Sequence, residues 1–185
     1  RTPGKEETEA WLRATKGTVS VGTYEDAAAH GDVVVLAVLG TAAESVLDAS
    51  GATSLSGKVL IDVTNPLDFS KGMPPGLTVG TTDSLGERIQ RLVPKAKVVK
   101  ALNVVNQDTM TRPRMRDGVP DMFIAGNDGE AKATVAALLR ELGWAEPFDL
   151  GGIEEARWLE ALVPLRARLA LKLGNWGVAF RLLRR

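Results

Sequence analysis

A run of eight residues near the start of the chain restricts the fold more than any other feature. Asp32 to Leu39 reads DVVVLAVL, so every residue after the aspartate is apolar and several are β-branched. A strand with one face in water would alternate polar and apolar residues, and this run therefore predicts a strand that is covered on both faces of a parallel sheet. Lys58 to Thr64 has the same character, and Asn65-Pro66 ends it.

Helix-sized segments alternate with further strand-like segments along the chain. We predict helices at Lys5–Lys16, from a Thr23/Asp26 capping box to His30, and at Ala42–Ser50, Ser84–Leu92 and Glu130–Leu142. We predict further strands at Val19–Val21, Lys97–Leu102 and Asp121–Ala125. This order predicts an α/β protein with a doubly wound, mostly parallel sheet.

Two segments stand apart from this alternation. Ser70 to Gly80 is rich in glycine and proline and predicts an irregular loop over the carboxyl ends of the strands. Ile153 to Arg185 has helical periodicity throughout, and Pro164 should start, kink or divide that helix. Its apolar residues are too many for one stripe, so we expect it to pack on the sheet and also on a second helix or a partner subunit.

Composition excludes several classes of function. Lysine plus arginine equals aspartate plus glutamate at 23 each, so no net charge attracts nucleic acid or an anionic membrane surface. The longest apolar runs, such as Val33 to Leu39, fall far short of the roughly 20 residues of a membrane span. No basic-then-apolar leader opens the chain, and we expect a soluble cytoplasmic protein. The absence of cysteine removes disulfides and cysteine nucleophiles.

Side chains for acid–base catalysis are scarce. The single histidine, His30, closes a predicted helix, where a solvated histidine is favoured by the helix dipole, and no G-x-S-x-G turn supplies a nucleophile. The single tyrosine, Tyr24, has Ala28 and not a lysine four residues later. Neither a metal-ligand spacing nor a P-loop is present. Hydride transfer between two bound cofactors remains, because the reacting atoms then belong to the cofactors.

Three segments follow predicted strands and should converge on one crevice. They are Val38–Ala42, Thr64–Leu67 and Ala101–Asn106. The alternative is that these segments are ordinary turns at the ends of strands, in which Asn65 and Asn103 serve only as turn-forming residues.

The segments Val59–Leu67 (VLIDVTNPL), Lys97–Asn106 (KVVKALNVVN) and Glu155–Leu165 (EARWLEALVPL) resemble the coenzyme F420-dependent NADP reductase family. The cytoplasmic domain of the STEAP metalloreductases is similar to that family. The resemblance implies a Rossmann-type NADP-binding domain over residues 1–150 and a C-terminal helical segment over residues 151–185. It also implies an NADP-dependent oxidoreductase that moves hydride between NADP(H) and a deazaflavin, coenzyme F420, or a related small-molecule acceptor, and that forms a homodimer.

The resemblance assigns cofactor-binding residues but no catalytic side chain and no metal ligand. Arg1 and Lys5, with the neighbouring Thr2, match residues that hold the 2′-phosphate of NADP, for which a guanidinium fork is well suited. The nicotinamide and its ribose would lie against Val38, Leu39, Ala101, Leu102 and Asn103, mostly through backbone groups. Asn65, Pro66 and the loop behind them would face the deazaflavin, and Leu173 to Gly177 would border the acceptor pocket.

One feature of a Rossmann fold is absent from the sequence. The G-x-G-x-x-G turn that holds the pyrophosphate does not occur here, and we expect it, with the first strand, to precede Arg1. The missing strand would leave unpaired sheet edges. Two alternatives stay open: a non-catalytic or truncated NADP-binding protein, and a β-hydroxyacid or imine reductase relative that uses a proton donor such as Lys172.

Overall fold

The computed structural model describes residues 4–183 and residue 185. Its helices are α1 Glu6–Ala14, α2 Tyr24–His30, α3 Ala43–Ser50, α4 Leu85–Leu92, α5 Gln107–Thr111, α6 Gly129–Glu141 and α7 Ala156–Leu173. Its strands are β1 Val33–Leu36, β2 Val59–Asp62, β3 Leu67–Asp68, β4 Gly76–Leu77, β5 Lys97–Lys100, β6 Phe123–Gly126 and β7 Phe148–Asp149. Short 3₁₀ turns at Gly40–Ala42 and Ile153–Glu155 precede α3 and α7.

The central sheet has the strand order β1-β2-β5-β6-β7. β1, β2 and β5 run parallel, with Val33 beside Val59 and Val59 beside Lys97. β6 is antiparallel to β5, and β7 is parallel to β6. β3 and β4 form a separate antiparallel hairpin. The mostly parallel sheet confirms the predicted α/β class.

Alternate residues of the central strands enter two cores, one on each face of the sheet. Leu60 and Val98 pack with α2, α3 and α4 on one face. Ile61 and Val99 pack with α6 and with Leu159 and Val163 of α7 on the other. Because successive side chains of a strand point to opposite faces, this arrangement is the doubly wound one that the sequence predicts.

The prediction that Asp32–Leu39 is covered on both faces is wrong. Val35 is 55% exposed, and Leu39, beyond the end of the strand, is 75% exposed. β1 is an edge strand in the described part of the chain, so one side of it lacks a neighbour. The predicted strand at Val19–Val21 is also wrong, because these residues belong to no strand in the described part of the chain.

The prediction that the C-terminal segment is helical throughout is wrong. α7 continues through Pro164 but ends at Leu173, because Gly174 adopts a left-handed conformation with φ of 61° that closes the helix. The chain then runs alongside the loop before β6, where the backbone N–H of Asp121 donates to the carbonyl of Phe180 at 3.0 Å. None of the helices in the described part of the chain has the length and apolar character that crossing a bilayer requires.

Candidate functional site at the carboxyl ends of the parallel strands

The three segments that follow β1, β2 and β5 meet in space. Gly40 lies so close to the turn after β2 that a Cβ placed on it would be 2.0 Å from the carbonyl oxygen of Asn65. The Asn65 side chain donates through Nδ2 to the carbonyl of Asn103 at 2.9 Å. Asn103 in turn donates through its own Nδ2 to Oδ1 of Asn65 at 2.9 Å. These contacts place the strand ends at a common crevice, where open α/β sheets bind ligands.

The segment after β5 holds an unsatisfied acceptor beside a strained residue. Asn103 is 2% exposed, and its Oδ1 has no hydrogen-bond partner among the described residues. Leu102, next to it, has φ of 62°, which a branched L-residue adopts only when its surroundings impose it. A buried acceptor without a donor is rare in a native protein and is a reason to look for a ligand that supplies one.

The remaining predicted strand-end residues differ in their exposure. Ala101 and Pro66 are buried, Val38 is half-buried, and Leu39 is largely exposed. The carbonyl of Pro66 accepts from the backbone N–H of Thr78 at 2.8 Å, which ties the β3–β4 hairpin to the turn after β2. The residues at these strand ends are therefore mainly apolar, apart from the paired amides of Asn65 and Asn103.

A buried ion network, which we did not predict, joins β2, β5 and α7 next to these strand ends. Lys100 is fully buried, and its Nζ contacts Asp62 Oδ2 and Glu160 Oε1, each at 2.7 Å. The same ammonium donates to the carbonyl of Thr64 at 2.8 Å, while Asp62 Oδ1 accepts from the Thr64 backbone N–H at 2.9 Å. Thr64 immediately precedes Asn65, so the network fixes the turn that carries one of the two amides.

The electrostatics of this network keep Lys100 charged. Burial disfavours the ammonium, but the charges of Asp62 and Glu160 outweigh that effect, so the pKa of Lys100 is raised above its ordinary value. Glu160 also accepts from the backbone N–H groups of Leu85 and Gly86, at 3.0 Å each, at the start of α4. These two N–H donors stabilise the negative charge of Glu160, because the single positive charge of Lys100 balances only one of the two carboxylates.

A second pair joins α4 to α7. Arg157 Nη2 donates to Glu87 Oε1 at 2.6 Å, and Ser84 caps α4 by accepting from the backbone N–H of Glu87 at 3.0 Å. The hydrogen bond from Arg157 is the main reason that the pKa of Glu87 is lowered.

The other candidate residues are exposed or lie outside the described residues. Lys5 is exposed and precedes α1, while Arg1 and Thr2 lie outside the described residues. His30 is exposed at the end of α2, and Lys172 is exposed in the last turn of α7. Within residues 4–183 and 185, no three histidine or carboxylate side chains are grouped to hold a metal ion.

A cavity of about 530 Å³ lies between the loop before β6 and the C-terminal segment. Leu173, Asn175 and Gly177 line one side of it, and Met115 to Pro120 line the other. Asn106, at the end of the segment after β5, donates through Nδ2 to the carbonyl of Trp176 at 3.3 Å, which connects this cavity wall to the strand-end crevice.

A mostly parallel sheet with helices on both faces and an amide-containing crevice at the strand ends defines an α/β protein of the dinucleotide-binding type. Comparison with known proteins specifies the family. The model of the family described as NADP oxidoreductase, coenzyme F420-dependent, matches residues 1–66.

Three relatives extend this similarity beyond residue 66. The F420-dependent NADP reductase of Methanocaldococcus jannaschii is 30% identical over 160 residues, which are 85% of this chain and 70% of that protein. A crystal structure from Arthrobacter sp. FB24, of a protein proposed to be an F420-dependent NADP reductase, shares 47% identity with a TM-score of 0.85 over 88% of this chain and 74% of its own.

The third relative is metalloreductase STEAP3 of Rattus norvegicus, 34% identical over 142 residues. That match covers 77% of this chain but only 27% of the rat protein, so the chain spans about a quarter of that relative. The chain belongs to the coenzyme F420-dependent NADP oxidoreductase family, whose members are NADP-dependent oxidoreductases.

Proposed function

We propose that this protein transfers hydride between NADP(H) and a deazaflavin of the coenzyme F420 type, or a closely related acceptor, at the crevice after β1, β2 and β5. The observation that carries the proposal is the convergence of Gly40, Asn65 and Asn103, with a buried acceptor left unsatisfied between apolar residues. The relatives named as F420-dependent NADP reductases support the choice of acceptor.

The lining of the crevice fits a reaction that needs no protein acid. Ala101 and Leu102 cannot exchange protons, and the amides of Asn65 and Asn103 do not titrate in water. Bound NADPH would supply the hydride with its electron pair, and the proton that the deazaflavin takes up on reduction would come from solvent. The work left to the chain is to orient the cofactor and to exclude water, which the apolar lining does.

We propose that Arg1 and Lys5, with Thr2, hold the 2′-phosphate, and that the second substrate enters beside the cavity lined by Leu173 and Gly177. The connection from Asn106 to the carbonyl of Trp176 supports this placement, because it links that cavity wall to the strand ends.

Isotope transfer tests the reaction. With full-length protein, deuterium at the reactive C4 position of NADPH should appear on the reduced deazaflavin, because the hydride passes directly between the two rings. Mass spectrometry of the product gives the answer, and the same mixture without protein is the control. Loss of the label to solvent would contradict direct transfer and would require a proton-relaying side chain.

Cofactor preference tests the phosphate site. Arg1→Ala should weaken NADPH binding by about 1–3 kcal/mol, the scale of a lost charge-assisted hydrogen bond, and should leave NADH binding nearly unchanged. Titration calorimetry with both cofactors measures this, and Arg13→Ala, in the last turn of α1, is the matched control. An Arg1 variant with unaltered NADPH affinity would refute the assignment.

A further inference from the structure

We propose that the cavity between the loop before β6 and the C-terminal segment binds an anionic side chain of the second substrate, through Arg181 in its wall and Arg166 beside it. This inference rests on the proposed function and adds a chemical class to it: the second substrate is a ring compound that carries phosphate or carboxylate groups.

The cavity combines apolar walls with an excess of positive charge. Val119 and Phe180 are among the apolar residues that line it, and its charged lining residues are Arg116, Asp117 and Arg181. Arg116 and Asp117 lie 4.0 Å apart and are almost fully exposed, so their opposite charges offset each other. The charge of Arg181 is left over, and a cavity of this composition suits an organic anion.

The guanidinium of Arg181 is held against the cavity wall. A Cβ on Gly118 would lie 2.9 Å from Nη1 of Arg181, so the absence of a side chain at Gly118 gives the guanidinium its place. Gly118 has φ of 121°, a conformation that requires glycine. Arg181 forms no ion pair with a described residue. An arginine in this setting is free to bind phosphate or carboxylate through two parallel hydrogen bonds.

A second arginine without a counter-ion lies beside the same wall. Arg166 is 9% exposed and belongs to the buried stripe of α7, next to Val163. Its Nη1 donates at 3.3 Å to the carbonyl of Trp176, which stands between the lining residues Asn175 and Gly177. Its Nε has no partner in the described part of the chain.

The charge of Arg166 is costly unless an anion accompanies it. Burial lowers the pKa of Arg166, and no described carboxylate opposes that effect. A buried charge that lacks a counter-ion lowers stability, and residues that break a packing rule at such a cost are typical of functional sites. An anion in the neighbouring cavity would supply the missing charge.

The position of the cavity fits the side chain of a substrate whose ring enters the crevice. The cavity lies beside the loop before β6, and β6 is three positions from β1 in the sheet. Asn106, in the segment after β5, donates to the carbonyl of Trp176 in the cavity wall. A ring at the strand ends can therefore extend a side chain into the cavity.

Paired binding measurements on full-length protein test the proposal. Coenzyme F420 carries a phosphodiester and glutamate carboxylates on its side chain, and the nucleoside form of the same deazaflavin has the same ring but neither group. Wild type should bind coenzyme F420 on the order of tenfold more tightly than the nucleoside form, and Arg181→Gln should lose most of that preference. Titration calorimetry gives the affinities. Arg114→Gln, an exposed arginine of the same loop outside the cavity wall, is the matched control and should keep the wild-type ratio.

Arg166→Met separates a role in binding from a role in structure. Methionine keeps the aliphatic packing of the arginine and removes its charge. The variant should bind coenzyme F420 roughly three- to tenfold more weakly and the nucleoside form as wild type does. Without ligand, its melting temperature should equal or exceed that of wild type, because a buried charge without a counter-ion has been removed. A purely structural arginine would show the reverse, a lower melting temperature with an unchanged affinity ratio.

Three results would overturn the inference and leave the proposed function standing. The first is wild-type protein that binds coenzyme F420 and the nucleoside form equally, and the second is an Arg181→Gln variant with the wild-type ratio. The third is a loss of NADP⁺ affinity in Arg181→Gln with coenzyme F420 binding unchanged, which would assign the cavity to the other cofactor. Wild-type protein that binds neither deazaflavin would instead refute the proposed acceptor and the inference with it.

Discussion

Gly40 is a single residue on which the geometry of the crevice depends. A Cβ on Gly40 would lie 2.0 Å from the carbonyl oxygen of Asn65, which leaves no room for a methyl group, and the obstacle is backbone rather than a flexible side chain. Gly40→Ala should therefore displace the turn that carries Asn65 and lower the free energy of unfolding by about 1–3 kcal/mol, the usual scale of overpacking. Urea denaturation monitored by circular dichroism measures this change.

Gly129 is the matched control for that substitution. It is the first residue of α6, and a Cβ there would meet nothing within 4 Å. Gly129→Ala should keep or slightly raise stability, because alanine restricts the unfolded chain and favours the helix. If Gly40→Ala were as stable as Gly129→Ala, residue 40 would have to lie farther from the carbonyl oxygen of Asn65 than the structure shows.

Some residues of the crevice can be recognised from the sequence, and others cannot. Asn65 and Asn103 are visible because polar residues directly follow buried strands. The orientation of the Asn103 amide depends on a partner 38 residues away, which no local pattern encodes. The burial of Lys100 was missed because Lys97–Lys100 (KVVK) resembles a strand with a charged residue at each end. Asp62 could have revealed it, because Asp62 is a charged residue inside an apolar strand and is the register partner of Lys100 in the sheet.

At the scale of elements, β5 carries two lysines whose environments differ. Lys100 is buried between Asp62 and Glu160, so Lys100→Met leaves two buried carboxylates without their cation and should cost about 3–5 kcal/mol of stability. Lys97 pairs with Asp128 at 3.2 Å at the partly exposed start of the same strand, and Lys97→Met should cost only about 0–1 kcal/mol. Chemical denaturation of both variants makes the comparison, and similar losses would contradict the buried network.

The link between α4 and α7 predicts a pH dependence. The pKa of Glu87 is lowered, chiefly by its hydrogen bond from Arg157, so this carboxylate stabilises the fold above its unfolded pKa and loses that contribution as pH falls through its folded value. Glu87→Gln should be less stable than wild type by about 1 kcal/mol at neutral pH, and the gap should close in acid. Melting temperatures of both proteins across this range test it; a gap that does not change with pH would exclude the ionic origin.

Elements with strong local signals are predicted well from the sequence. The capping box of α2 forms between Thr23 and Asp26, and α6 ends within one residue of the prediction. No local sequence pattern predicts that β6 pairs antiparallel to β5, because the direction of β6 depends on the path of the chain that connects the two strands. The end of α7 was missed because the apolar spacing continues past Gly174, where glycine conformation and not hydrophobicity stops the helix.

At the scale of the whole molecule, α7 presents an apolar stripe to solvent. Trp158, Leu165 and Leu173, spaced at helical intervals, are 55%, 48% and 66% exposed. Leu169 lies between the last two and is partly buried. We expect a homodimer in which two such stripes pack together, since a symmetric contact buries the same surface on both copies.

Sedimentation velocity tests this expectation. Full-length protein should be a dimer at micromolar concentration, and Leu165→Glu should shift it to monomer because a charge in an apolar interface is costly. Leu92→Glu, at the end of α4 with 40% exposure, is the matched control and should remain dimeric. A wild-type monomer, or a Leu165→Glu dimer, would place the interface elsewhere or remove it.

The open side of β1 has a consequence for handling the protein. In the described part of the chain, Val33–Leu36 pairs only with β2, so its other side offers free backbone donors and acceptors flanked by branched apolar side chains. Such an edge templates intermolecular strand addition, and any preparation in which it stays uncovered should aggregate with a rise in thioflavin fluorescence as concentration increases. Val35→Lys places a charge at the most exposed position of that strand and should suppress this aggregation without affecting the crevice.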